Sequence, residues 1–181
     1  MIRAFVAIEP SGETLDGVEA LQDRLRIGRA VARENLHVTL AFLGEKREDD
    51  LEELHHALSS IRAEPFRVRL SGLDFFGGRS PRVLAALVAP EPRLQDLHDK
   101  VRRAARAAGM ELARERFRPH LTIVRFREGL HGAALHEARE TAAREALLTV
   151  PDFHVGEFHL YRSTLRRDRP VHDILATYPL G

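Results

Sequence analysis

The chain has 181 residues, 44% hydrophobic and 30% charged, which allows one large domain or two small lobes with a real buried core. It contains no cysteine, which excludes a disulfide framework and thiolate chemistry and suits a reducing cytoplasm. Net charge is only +1, so attraction to nucleic acid must come from local patches, and no apolar run nears the length of a membrane span.

The run Ile2–Ile8 reads as a first strand rather than a leader, because Glu9-Pro10-Ser11-Gly12 follows it as a turn and helix-cap signal. Leu15, Val18, Leu21 and Leu25 recur at helical spacing and predict a helix to about Ile27. Residues 34–44 predict a strand that stops at Gly44. A charged entry at 45–50 then leads into a helix carrying Leu51, Leu54, Leu58 and Ile61. Pro65 introduces the half-exposed strand Phe66-Arg67-Val68-Arg69-Leu70, and residues 75–81 read as a loop.

The order then begins again. Residues 83–89 form a strand, Glu91-Pro92 repeats the helix entry of Glu9-Pro10, and Leu94, Leu97, Val101, Ala104 and Ala108 line a helix ending at Gly109. A strand around His120 follows, then an Ala-rich helix over about 132–148. Pro151-Asp152-Phe153-His154-Val155 echoes Pro65-Phe66-Arg67-Val68, and strands over 153–161 and 172–178 close the set. Repetition of one supersecondary unit predicts a duplicated, pseudo-two-fold architecture. The expectation is a single α+β domain over 1–181 made of two lobes, with sequence repeats of about 1–80 and 82–181. It would have two antiparallel-rich β-sheets, outer helices and a central cleft.

The chemistry sits at the same place in each repeat. In His37-Val38-Thr39-Leu40 the imidazole and hydroxyl share one strand face while Val38 and Leu40 take the other. His120-Leu121-Thr122-Ile123 repeats this 83 residues later. Confronted across a cleft, a neutral imidazole could take a proton from water while a protonated one delivers a proton to a departing ribose oxygen. The threonine hydroxyls could hold the non-bridging phosphate oxygens. One such motif is more often structural than catalytic; two at equivalent places in a repeat are a much stronger signal. A zinc site would need three or four ligands, and neither motif has a second histidine or carboxylate at metal spacing. His55, His56, His98, His131 and His136 fall on expected helices as solvated or partly buried residues. His154, His159 and His172, without a threonine two residues on, read as structural.

The stretches 35–44 and 117–123 resemble the paired His-x-Thr-x signatures of the 2H phosphoesterases, and most closely the RNA 2′,3′-cyclic phosphodiesterases, also called the 2′-5′ RNA ligase family. The resemblance extends to residues 3–8, 72–77 and 161–165. It implies a bilobal α/β fold, no metal or other cofactor, and opening of a terminal 2′,3′-cyclic phosphate on RNA to a 2′-phosphomonoester, with 2′-5′ ligation as the reverse. By motif position His37 would donate the proton to the 3′ oxygen, His120 would be the proton acceptor acting on water, and Thr39 and Thr122 would bind phosphate. Partners would be RNA ends bearing a cyclic phosphate, tRNA fragments among them, met by a cytoplasmic monomer. The segment 28–33 lacks the tryptophan and proline usual there, and 166–170 is more basic and less glycine-rich than the family pattern.

Beyond the motifs, the resemblance puts an arginine, here Arg125, near the phosphate, although strict alternation sets it on the face opposite His120. Arg118 has the right parity, with Pro119 intervening. Phe42 has the wrong parity for the cleft and reads as core. Phe75 and Phe76 offer either a base-stacking surface or core packing, with Phe76 the candidate. Arg162, Arg166, Arg167 and Arg169 could track an RNA backbone or simply be solvated. Two rivals remain: a non-catalytic RNA or nucleotide-phosphate binding module, and an enzyme for a small cyclic phosphate such as ADP-ribose 1″,2″-cyclic phosphate.

Overall fold

A computed structural model describes residues 1–114, 116–145, 150–166 and 169–181. Four helices pack on antiparallel sheet. Ser11 accepts from the Thr14 amide to start α1 (Gly12–Leu25), and Val18, Leu21 and Leu25 face inward; Arg26 ends it in the left-handed region. Helix α2 (Glu48–Ser59) buries Leu51, Leu54 and Leu58. Pro92 and the Glu91 side chain start α3 (Pro92–Ala107), which buries Leu94, Leu97 and Val101. Helix α4 (Gly132–Arg144) buries Ala138 and Ala142. The end expected for this last helix, over 146–148, lies outside the described residues, as do Arg167 and residue 168. No helix among the described residues is long and apolar enough to cross a membrane.

The strands are β1 (Ile2–Ile8), β2 (Arg29–Ala30), β3 (Val38–Lys46), β4 (Phe66–Val68), β5 (Leu70–Phe76), β6 (Val83–Val88), β7 (His120–Arg125), β8 (Phe153–Val155), β9 (Glu157–Leu165) and β10 (Pro170–Pro179). The large sheet runs β10-β9-β1-β3-β7-β6-β5, with β2 on β7, and β4 pairs with β8 in a second small sheet. The mixed class and antiparallel pairing are as the sequence predicts. Several boundaries differ, among them the strand expected over 66–70, which is divided into β4 and the start of β5. Phe75 and Phe76 end a strand rather than form a loop. Residues 33–35 make a short 3-10 turn before β3. The strand expected over 153–161 is divided into β8 and β9.

The sheet is two antiparallel halves joined at one backbone pair, Val38 with Leu121. Those two residues are equivalents in the repeat. In the small sheet Arg67 faces His154, with Phe66 opposite Val155 and Val68 opposite Phe153, so the repeat pairs with itself there too. Equivalent stretches of the two repeats therefore meet each other at both places. The halves also exchange strands: β9 and β10 from the second repeat extend β1, and β5 from the first repeat extends β6. Beneath the sheet one continuous core gathers Val6, Ile8, Val38, Leu121 and Ile123 with the helix faces. A separate small cluster, Phe5, Ala7 and Tyr161, sits on the other side of β1.

Candidate active site

Buried Val38 and Leu121 leave their neighbours on the opposite face, which lines a cleft of about 1350 Å³ containing His37, Thr39, His120 and Thr122. Running outward from that pair, antiparallel order sets His37 toward Thr122 and Thr39 toward His120. The two imidazoles are then diagonal neighbours, a relation that spans about 7–8 Å in such pairs and leaves room for a phosphate between them.

Each imidazole is held the same way. His120 Nδ1–H donates to the Arg118 carbonyl at 2.7 Å, which leaves Nε2 as the proton acceptor of the neutral ring. His37 bonds the carbonyl of Asn35, the equivalent residue. Each is also backed by an aromatic ring: Phe5 stacks on His37 at 4.7 Å and Phe76 on His120 at 4.4 Å. Phe5 rests in turn on Tyr161 at 4.9 Å, whose hydroxyl donates to Glu9.

Burial pushes His37 down to about 4; the charge of His172 acts in the same direction, as do those of Arg125 and His120, against the Asn35 hydrogen bond. His172 stands edge-on to His37 at 5.3 Å and is itself lowered, by burial first and then by Arg125 and Arg3. An anion bound among these groups would offset their charge and raise His37 again.

Two β-bulges complete the cleft. On β3 Ala7 pairs with Thr39 and Val6 with Ala41, so Leu40 is the extra residue. On β7 Ala85 pairs with Thr122 and Leu84 with Val124, so Ile123 is the extra residue. Leu40 and Ile123 are equivalents in the repeat. Each inserted residue reverses the alternation that follows, and the result corrects two sequence expectations. Phe42 is not core; it is 66% exposed and lines the cleft. Arg125 is not on the opposite face; it lines the same cleft.

A bulged carbonyl has lost its place in the ladder and needs another donor. Here each receives one from a helix of the other repeat, and the Ile123 carbonyl accepts as well from the Val31 amide at 2.9 Å. His98 on α3 donates from Nδ1–H to the Leu40 carbonyl at 2.7 Å, and Gln22 on α1 donates from Nε2 to the Ile123 carbonyl at 2.8 Å. Both side chains are buried, His98 at 6% and Gln22 at 9% exposure. His98 is thus a bonded core histidine rather than a solvated one.

The model of the 2′-5′ RNA ligase superfamily matches residues 9–167. The chain belongs to the 2′-5′ RNA ligase superfamily. A Geobacillus stearothermophilus protein named RNA 2′,3′-cyclic phosphodiesterase is 33% identical over 153 residues, 83% of this chain and 47% of that protein, so the chain spans about half of that relative. An Archaeoglobus fulgidus protein of the same name is 28% identical over 181 residues, 98% of this chain and 99% of that one. Among solved structures, E. coli LigT complexed with 3′-AMP superposes with a TM-score of 0.80 at 26% identity, over 99% of this chain and 98% of that one. TT0787 of Thermus thermophilus does so at 0.79 and 26%, over 98% and 97%.

Within this superfamily member the remaining candidates divide. Arg118 is engaged elsewhere: it pairs with Asp74 at 2.9 Å and lies 4.7 Å over the Phe76 ring. Phe76 is taken up by His120 and Arg118 and is not among the residues that line the cleft. Arg162 pairs with Asp173 at 2.9 Å. Arg169 lines the cleft and pairs with Glu34 at 2.8 Å.

Three cleft residues were not legible as such. His172 reaches the cleft because β10 joins the first half of the sheet, which no local pattern announces. Asn35 carries the carbonyl that holds His37 and donates from Nδ2 to the Pro170 carbonyl at 3.0 Å. Among the described residues, Asn35 Oδ1 and His172 Nδ1 are the buried side-chain polar atoms without a partner, and both residues line the cleft. Such unsatisfied atoms mark places where a ligand or water completes the site. Phe42 is the third, turned into the cleft by the bulge at Leu40.

Proposed function

We propose that this protein opens terminal 2′,3′-cyclic phosphates of RNA to 2′-phosphomonoesters by acid–base catalysis between His37 and His120. The supporting observation is the Val38–Leu121 pair, which sets both His-x-Thr faces in one cleft. Relatives named RNA 2′,3′-cyclic phosphodiesterase, and a similar fold complexed with 3′-AMP, support the substrate class.

In this mechanism His120 Nε2 takes a proton from water as its oxygen attacks phosphorus. The bond from phosphorus to the 3′ oxygen breaks, and protonated His37 delivers its proton to that oxygen. Thr39, Thr122 and Arg125 donate to the non-bridging oxygens, where charge accumulates. His37 is neutral in the free cleft, so the anionic substrate brings its own proton uptake. Exposed Phe42 gives the terminal base a stacking surface. The same cleft would run 2′-5′ ligation in reverse with an RNA 5′-hydroxyl in place of water. The proposed enzyme acts as a monomer on RNA ends in the cytoplasm, tRNA fragments included.

The test is product analysis on an RNA oligomer ending in a 2′,3′-cyclic phosphate. A 2′-phosphate is expected. A 3′-phosphate would reverse the roles, and binding without turnover would favour the non-catalytic module.

A further inference from the structure

A second groove, of about 1490 Å³, shares no lining residue with the catalytic cleft and lies between α3 and the segment that leads from it into β7. Five arginines line it, Arg102, Arg103, Arg106, Arg114 and Arg116, against two acids, Asp99 and Glu111. Its apolar floor includes Phe117, which stacks on His98 at 3.7 Å.

Some arginines elsewhere are neutralised by an acid, as Arg33 by Asp16, Arg47 by Asp50 and Arg118 by Asp74. None of the five groove arginines forms an ion pair with a described residue, and Arg102 only donates to the Ala113 carbonyl. Arg102 and Arg103 each stand one turn from Arg106, an arrangement of like charges that costs helix stability. The helix dipole favours cations in the last turn. It does not account for Arg114 and Arg116, which a separate segment brings to the same groove.

The groove adjoins the chemistry. Arg116 and Phe117 precede His120 by four and three residues, and four residues span at most about 14 Å. Arg118 bridges the interval, lying over the Phe76 ring that stacks on His120.

We propose that this groove binds the phosphodiester backbone of single-stranded RNA whose end lies in the catalytic cleft. A positively charged groove that tracks the backbone, leading to a cleft with an exposed aromatic, here Phe42, is the general design of sequence-tolerant single-strand sites. The proposal rests on the cyclic phosphodiesterase function and extends it: the favoured substrate is a polynucleotide rather than a mononucleotide.

Wild-type protein and the R103E/R106E/R114E variant are compared in two assays. One is turnover of 2′,3′-cyclic AMP. The other is fluorescence anisotropy with a single-stranded RNA of about 12 nucleotides, over a range of salt. The variant is expected to keep wild-type turnover of the mononucleotide while losing oligomer affinity about tenfold or more. Its log–log salt slope should shrink by about 2, the share of three phosphate contacts. Arg→Gln at the same positions should reproduce a smaller loss, and it decides by the same criterion if charge reversal disturbs the fold. Equal oligomer affinity and salt slope in wild type and variants would overturn the proposal. Failure of the wild-type protein to turn over cyclic AMP would count against the catalytic function instead, since anisotropy is read without chemistry.

Discussion

Phe42 and Arg125 occupy equivalent positions 83 residues apart, and each enters the cleft because a bulge three residues after a His-x-Thr histidine reverses the strand's alternation. The two repeats use one backbone device to present different chemistry, an apolar ring from one half and a guanidinium from the other. The ring suits a base and the cation suits a phosphate, so their loss should be felt in different kinetic constants. Phe42→Ala should raise KM for 2′,3′-cyclic AMP about 5- to 100-fold, the equivalent of one base stack, with kcat little changed. Arg125→Ala should lower kcat as well, because it meets charge that grows in the transition state; about 100-fold is expected. Steady-state kinetics on both variants check the split, and equal KM effects with kcat intact in both would contradict it.

His98 and Gln22 touch neither phosphate nor base in this mechanism, yet each donates to the carbonyl of a bulge residue. His98→Leu leaves the Leu40 carbonyl without that donor, at a cost of about 1–3 kcal/mol; Gln22→Leu should cost less, because the Val31 amide still donates to the Ile123 carbonyl. For a chain of this size each kcal/mol corresponds to about 2–4 °C in Tm. His98→Leu should also raise KM through Phe42. The double variant with Phe42→Ala should then have a KM close to that of Phe42→Ala alone, since both changes act on one contact. Full additivity in KM would show that His98 does not act through Phe42.

The depressed value of His37 fixes a stability trend with pH. Between its folded value of about 4 and the ordinary histidine value of about 6.5, the unfolded chain carries a proton that the folded chain lacks. Stability should therefore rise with pH through this window and fall as pH drops from 6.5 toward 4. His98 and His172, also lowered by burial, act in the same sense. His37→Gln should flatten the slope of Tm against pH in this range. NMR titration gives the direct check: His172→Gln should raise the His37 value by removing a nearby charge, and inorganic phosphate should raise it further. An unchanged His37 titration under both conditions would contradict the electrostatic picture.

Much of the site was legible because the catalytic face needs only a short alternating pattern, His37-Val38-Thr39 and His120-Leu121-Thr122, set in a repeated order of elements. The bulges were not, because period-two alternation was extended past them. Their local trace is the doubled apolar pair at the same place in each copy, Leu40-Ala41 and Ile123-Val124, where strict alternation would place one buried residue. Their stabilising donors come from helices far away in sequence, so no window around the motif contains the cause. The exchange of β5, β9 and β10 between halves is likewise a matter of tertiary pairing. It brings His172 against His37 from 135 residues away and gives His120 its Phe76 support.

The assignment of His37 as acid and His120 as base is tested most directly by a substrate whose leaving group needs no proton. A cyclic phosphorothiolate with sulfur at the 3′ bridging position departs as a thiolate. On the ordinary oxygen substrate, His37→Ala and His120→Ala should each lose about 100- to 10,000-fold in kcat. On the sulfur substrate His37→Ala should recover most of that loss while His120→Ala stays impaired. Recovery by His120→Ala instead, or undiminished turnover of the oxygen substrate by either variant, would contradict the proposed division of labour between the two imidazoles.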